Sequence, residues 1–180
     1  PSTHVAESYE YDGSSWGSET DLNTARYDGG GNGTQTAGLG FGGYTTTSVA
    51  NTEEYNGSSW TNVNSMNTAR YSFGSAGIQT SAVAVAGVTP PGRVNSVEEY
   101  DGTNWTTGTN YPLTISGIEG FGATNTAAIF AGGATSPPTL VTRCNSYDGT
   151  SFANIPSLAT ARRIGGGAGS NSSEAIYFAG

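Results

Sequence analysis

One eight-residue pattern is written four times in a chain of 180 residues: YEYDGSSW at 9–16, EEYNGSSW at 53–60, EEYDGTNW at 98–105 and NSYDGTSF at 145–152. The aromatic residues that close the copies, Trp16, Trp60, Trp105 and Phe152, are 44, 45 and 47 residues apart. Other landmarks keep the same period. NTARY stands at 23–27 and 67–71, ATARR at 159–163, and the third copy departs with LTISG at 113–117. A Gly-rich stretch follows each, at 29–43, 74–87, 120–133 and 166–180. A fixed period of this length means one supersecondary unit per repeat, each unable to bury its faces without its neighbours.

The units read as strands and turns. TAGLGFGG (36–43) and TSAVAVAG (80–87) alternate large apolar with small residues, the period of a strand. VANTEEY and VNSVEEY read as a second strand type. Asp-Gly or Asn-Gly between the Tyr and the aromatic marks a tight turn, so the opening pattern reads as a strand, a two-residue turn and a short strand. Asp12, Asn56, Asp101 and Asp148 are then turn formers. Trp16, Trp60, Trp105 and Phe152 read as aromatics packed between units, with sugar stacking as the alternative. About four short strands per ~45 residues is the sequence signature of a β-propeller blade. No unit shows a helical period.

Composition narrows the function classes. Leu, Ile, Val and Phe make only 15% of the chain, but charged residues are 11% and aromatics also 11%, which does not fit disorder. The net charge is −8 and Lys is absent, so no basic stripe exists for nucleic acid or anionic lipid. No apolar run approaches the ~20 residues of a membrane span, so no membrane insertion is expected. No signal peptide is visible behind Pro1. Cys144 is the single cysteine, which excludes an intrachain disulfide and reads as a small buried apolar residue.

Catalytic constellations are missing. His4 is the only histidine, there is no Lys, and no Ser or Thr has a plausible His partner. Glu53–Glu54 and Glu98–Glu99 are adjacent in strands and point to opposite faces, so neither is an acid/base pair. One carboxylate per turn, replaced by Asn56 in the second copy, does not assemble a calcium site. No enzyme activity, cofactor or metal is expected. NGT (32–34), NGS (56–58), NWT (104–106) and NSS (171–173) match the glycosylation sequon, as chance provides in a chain this rich in Asn, Ser and Thr.

The order of a Tyr strand, a turn, a Trp, a Thr/Arg element and an apolar strand ending in paired glycines resembles the kelch repeat. Its carriers are Tyr11/Trp16/Arg26/Gly42–Gly43, Tyr55/Trp60/Arg70/Gly87, Tyr100/Trp105/Gly132–Gly133 and Tyr147/Phe152/Arg162/Gly180. The second copy has a single Gly and the third lacks the Arg. The wording YDGSSW…NTAR…GTQTAG is similar to kelch-like repeats of structural and fibre proteins of marine bacteriophages. The Tyr-Asp-Gly turn also resembles the sialidase Asp box, but its Asp and Gly are adjacent and the spacing fails.

The expected fold is all-β: a single propeller domain of four kelch-like four-stranded blades, with units of about 2–43, 44–87, 88–133 and 134–180. Each end carries half a unit, so pairing N-terminal with C-terminal strands closes the ring and removes sheet edges. The alternatives are a longer array or a larger ring shared by two chains. In a closed ring Arg26, Arg70 and Arg162 take equivalent places. They are candidates for an anion or sialic-acid site, with Tyr27 and Tyr71 beside it. The alternative is pairing with a carboxylate such as Glu54 or Glu99.

The resemblance implies an extracellular or virion-borne, non-catalytic interaction module of the fibre or host-attachment type. Its partners would be a surface glycan or another virion protein, engaged through loops at 45–51, 89–95 and 135–143. A purely structural capsid or fibre subunit, self-assembling as a homo-oligomer, is the alternative. A sialidase-like glycosidase is a remote one.

Overall fold

The computed structural model describes residues 4–171, 173–178 and 180. Residues 2 and 3 of the first expected unit, Ser172 of the last sequon and Ala179 of the last Gly-rich stretch lie outside the described residues.

The fold is all-β; among the described residues there is no helix, and none is long and apolar enough to cross a membrane. It opens with a hairpin of β1 (Tyr9–Tyr11) and β2 (Trp16–Ser18). The first four-stranded antiparallel sheet is β3 (Gly30–Thr34), β4 (Ala37–Phe41), β5 (Thr52–Tyr55) and β6 (Trp60–Val63), in that spatial order. The second contains β7 (Gly74–Ile78) and β8 (Ser81–Val85). A short ribbon, β9 (Val88–Thr89) with β10 (Gly92–Arg93), then leads to β11 (Val97–Tyr100) and β12 (Trp105–Thr107). The third repeats this plan with β13 (Glu119–Phe121), β14 (Ala128–Ala131), a ribbon of β15 (Ala134–Thr135) and β16 (Thr139–Leu140), then β17 (Cys144–Tyr147) and β18 (Phe152–Ile155). A second hairpin, β19 (Gly166–Asn171) with β20 (Glu174–Phe178), ends the described strands. Each sheet therefore straddles two sequence units.

The eight-residue pattern builds the outer hairpin of each sheet. Tyr55 pairs with Trp60, Tyr100 with Trp105 and Tyr147 with Phe152. The connection is four residues long, not the expected two. Asp12 Oδ1 accepts the amides of Ser14 and Ser15, both at 2.8 Å, and the side chain caps a wider loop. Asn56, Asp101 and Asp148 repeat both bonds. The glycine after each has φ between 89° and 99°, where a Cβ is disfavoured. These backbone bonds hold the Asp12 carboxyl down at about 2.

Apolar packing runs between sheets. Along β8, Val83 and Val85 join the cluster shared with Phe130 and Tyr147 of the third sheet. Ala82 and Ala84 join the cluster with Leu39 and Phe41 of the first. The alternation read from TSAVAVAG thus serves two neighbours, one on each face. A third cluster, around Phe121, Ile129, Ala131 and Cys144, meets Tyr177 of the last hairpin.

The innermost strands lie side by side, β3 against β7, β7 against β13 and β13 against β19. All four line one polar cavity of about 360 Å³. Backbone bonds step around it: Ser72 N–H to Asp28 C=O at 3.0 Å, Gly117 to Ser72 at 2.8 Å and Ile164 to Gly117 at 3.0 Å. A second series runs from Gly43 to Arg70, Gly87 to Ile115 and Gly133 to Arg162. Among the described residues neither series has a fourth member.

Among the described residues the expected pairing of N-terminal with C-terminal strands is likewise not formed. β1–β2 and β19–β20 are separate two-stranded sheets. The place of Glu53 and Glu98 is taken by Tyr9, and that of Glu54 and Glu99 by Ser146 of the third sheet. The open seam leaves Trp16 70% exposed, whereas Trp105 is 5% exposed.

Candidate functional site

The repeat sets up three inter-sheet contacts whose differences locate the site. In the first two complete seams a tyrosine of one sheet donates to a glutamate of the sheet before it. Tyr100 donates to Glu54 Oε1 at 2.7 Å, and Tyr147 donates to Glu99. Burial first, and the carboxylate second, push both phenols well above their usual value. Indole groups follow the same rule. Trp105 Nε1 donates to Thr52 Oγ1 at 3.0 Å and Trp60 Nε1 to Ser8 Oγ at 3.1 Å. Phe152 has no N–H, and the residue facing it is Val97.

The seam between the β1–β2 hairpin and the first sheet breaks the tyrosine rule. By position Tyr55 should donate to Glu10. Here Tyr55 Oη and Glu10 Oε1 are both buried and form no well-directed hydrogen bond among the described residues, while burial first, and the nearby Glu10 carboxylate second, push the Tyr55 phenol up to about 12. Glu10 Oε2 accepts from Gln35 Nε2 at 2.9 Å. Tyr55 and Glu10 line a groove of about 440 Å³, walled by Tyr9, Tyr11, Trp16 and Trp60. A largely apolar groove with a few convergent polar groups is where a small ligand binds. Aromatic faces beside a buried donor and acceptor suit a hydroxylated ring. Sequence reading singled out Trp16 and Trp60 as structural; Glu10 and Gln35 carried no signal.

The arginines expected at a ligand site are placed otherwise. Arg26 pairs with Glu53 and Arg70 with Glu98, not with Glu54 or Glu99. Each glutamate also accepts two backbone amides, Asn23 and Thr24 for Glu53, Asn67 and Thr68 for Glu98. Arg26 Nη1 and Arg70 Nη1 donate to the Gly42 and Asn51, and to the Ala86 and Ser96, carbonyls. Burial pulls both guanidinium groups down while the paired glutamates hold them charged. These two groups tie connectors to sheets and do not converge on a ligand. Arg162 lies instead beside the Tyr177 ring, 5.8 Å from its centroid. In the third unit both partners change together, Arg to Ser116 and Glu to Asn145.

Tyr27 and Tyr71 belong to a row of rings at one end of the sheets. His4 stacks on Tyr27 at 5.2 Å, Tyr27 meets Tyr44 at 5.4 Å, and Tyr44 meets Tyr71 edge-on at 5.0 Å. The axial cavity holds one further group of interest. Glu119 lines it without an ion pair or hydrogen bond among the described residues, and burial raises its carboxyl to about 7. Among the described residues no three His, Cys, Asp or Glu side chains gather as a metal site.

No protein-family model matches the chain, and a search of curated proteins finds no relative.

Proposed function

We propose that the chain is a non-catalytic binding module that takes a surface glycan in the groove between the β1–β2 hairpin and the first sheet. The observation that carries this is the aromatic-walled groove in which Tyr55 Oη and Glu10 Oε1 lie buried beside Trp60 without a well-directed hydrogen bond among the described residues. In the two later seams the equivalent groups form well-directed bonds, so the poorer contact here leaves both groups able to take a ligand hydroxyl. The indole of Trp60 offers the apolar face of a sugar ring a stacking surface. Tyr27 and Tyr71, with Tyr44, give the module a second aromatic surface for the same class of ligand or for a protein.

The platform in this reading is a four-bladed, kelch-like ring. Four inner strands around one cavity, and three of four stepping bonds in each series, support closure by β20 on β1. An extracellular or virion-borne setting of the fibre or attachment type follows from the resemblance of the repeats. The free edges of β1 and β20, with Trp16 and Phe178 exposed, favour a second reading, a structural subunit that joins further copies edge to edge.

A glycan array with the purified protein beside Tyr55→Phe and Glu10→Gln variants tests the first reading. Tyr55 Oη makes no well-directed bond among the described residues, and Glu10→Gln keeps an oxygen to accept from Gln35. Selective binding that falls in both variants is expected. Binding that both variants keep, or none by the parent protein, overturns it.

A further inference from the structure

We infer that the third sheet carries a separate anion site, centred on Arg143, that takes the carboxylate of an acidic sugar. Three observations lead there. The first is a substitution within the repeat. Where the first two sheets have a buried glutamate, the third has Asn145, fully buried. Its four bonds are complete: Oδ1 accepts from Tyr111 Oη and Arg143 Nε, both at 2.9 Å, and Nδ2 donates to the Ala153 carbonyl and Asn154 Oδ1. Arg143 is therefore held by neutral amides, with no carboxylate paired to it among the described residues.

The second is the direction of the unused donors. Asn154 Oδ1 accepts from both Arg143 Nη2, at 2.7 Å, and Asn145 Nδ2, at 3.0 Å. Two donors on one oxygen fix the amide orientation and turn Asn154 Nδ2 away from them. Neither Asn154 Nδ2 nor Arg143 Nη1 has a hydrogen bond among the described residues. The third is the space they reach. Both residues line a cavity of about 610 Å³, with the hydroxyl residues Thr142 and Ser157 and no carboxylate among its walls. Rigid donors, an uncompensated positive charge and no nearby acid select an anion, and a guanidinium fork matches a carboxylate. Thr142 and Ser157 supply polar contacts for ring hydroxyls.

The sugar frame of this ligand rests on the glycan reading above; the anion does not. The test is ligand-observed NMR titration with glucuronate, glucose and inorganic phosphate. It compares the parent protein with Arg143→Gln and Asn154→Asp. The second variant keeps an oxygen for Arg143 and adds a carboxylate at the cavity, so it removes anion binding without unfolding the network. Glucuronate is expected to bind the parent and to weaken at least about tenfold in both variants, with glucose binding unchanged between them. Equal glucuronate binding by Asn154→Asp, or no anion binding by the parent, overturns the site. Phosphate binding as tightly as glucuronate overturns the sugar assignment. Loss of glucuronate binding in Asn154→Asp with array binding intact separates this site from the groove at Tyr55.

Discussion

Arg70 and Glu98 are paired with both side chains buried, and the same geometry recurs between Arg26 and Glu53. Removing one member strands the other. Arg70→Ser leaves a buried carboxylate with only its backbone donors, Asn67 and Thr68. The expected cost is about 3 kcal/mol, the lower end for a broken buried pair. Arg70→Ser/Glu98→Asn copies the third unit and should recover part of it. Urea denaturation of the two variants checks this; a double variant no more stable than the single one refutes the coupling.

The tyrosine seams predict an asymmetry. Tyr100→Phe removes a bond to a carboxylate and should cost about 1.5–3 kcal/mol. Tyr55→Phe removes a hydroxyl with no well-directed bond among the described residues and should cost clearly less than Tyr100→Phe. Equal losses in the two melting curves contradict the open groove.

Indole and hydroxyl travel together. Phe152→Trp alone places an indole N–H opposite Val97 and should destabilise, by about 1–3 kcal/mol for an unsatisfied donor. Adding Val97→Thr recreates the arrangement of Trp105 and Thr52 and should restore stability. Thermal melts of the single and double variants decide it.

Glu119 sets a pH dependence. Its folded value, about 7, lies above the ordinary 4.5. The folded state then binds the proton more tightly, so stability falls as pH rises from about 4.5 to 7. Glu119→Gln should therefore match the parent at pH 4 and melt higher at pH 8. A stability difference that does not change with pH shows that Glu119 does not titrate in this range.

Ring closure has a covalent test. By register with the complete sheets, Ile176 faces Glu10, as Leu39 faces Glu54 and Val83 faces Glu99. Glu10→Cys/Ile176→Cys in a Cys144→Ser background should oxidise to a monomeric cross-linked species. A cross-linked dimer moves the closing strand to a second copy; no cross-link leaves the edges free.

The repeat, the strand types, the turn residues and the missing Arg of the third unit were all legible in the letters. Strand alternation and Asx turns are decided within a few residues, and a repeated error-free pattern exposes each departure. The length of the turn was misjudged because an Asx side chain can replace a backbone bond, which no dipeptide rule registers. Which glutamate each arginine meets was not legible either. Glu53 and Glu54 differ only in face, and the partner is set by a connector 30 residues away.

The same division holds for function. Sequence by itself determined an all-β repeat chain with one histidine, no lysine and no nucleic-acid stripe. Only the tertiary structure decided that Arg26 and Arg70 are consumed by carboxylates while Arg143 is not. Charge is a property of a residue, but its neutralisation depends on what burial brings within hydrogen-bond distance.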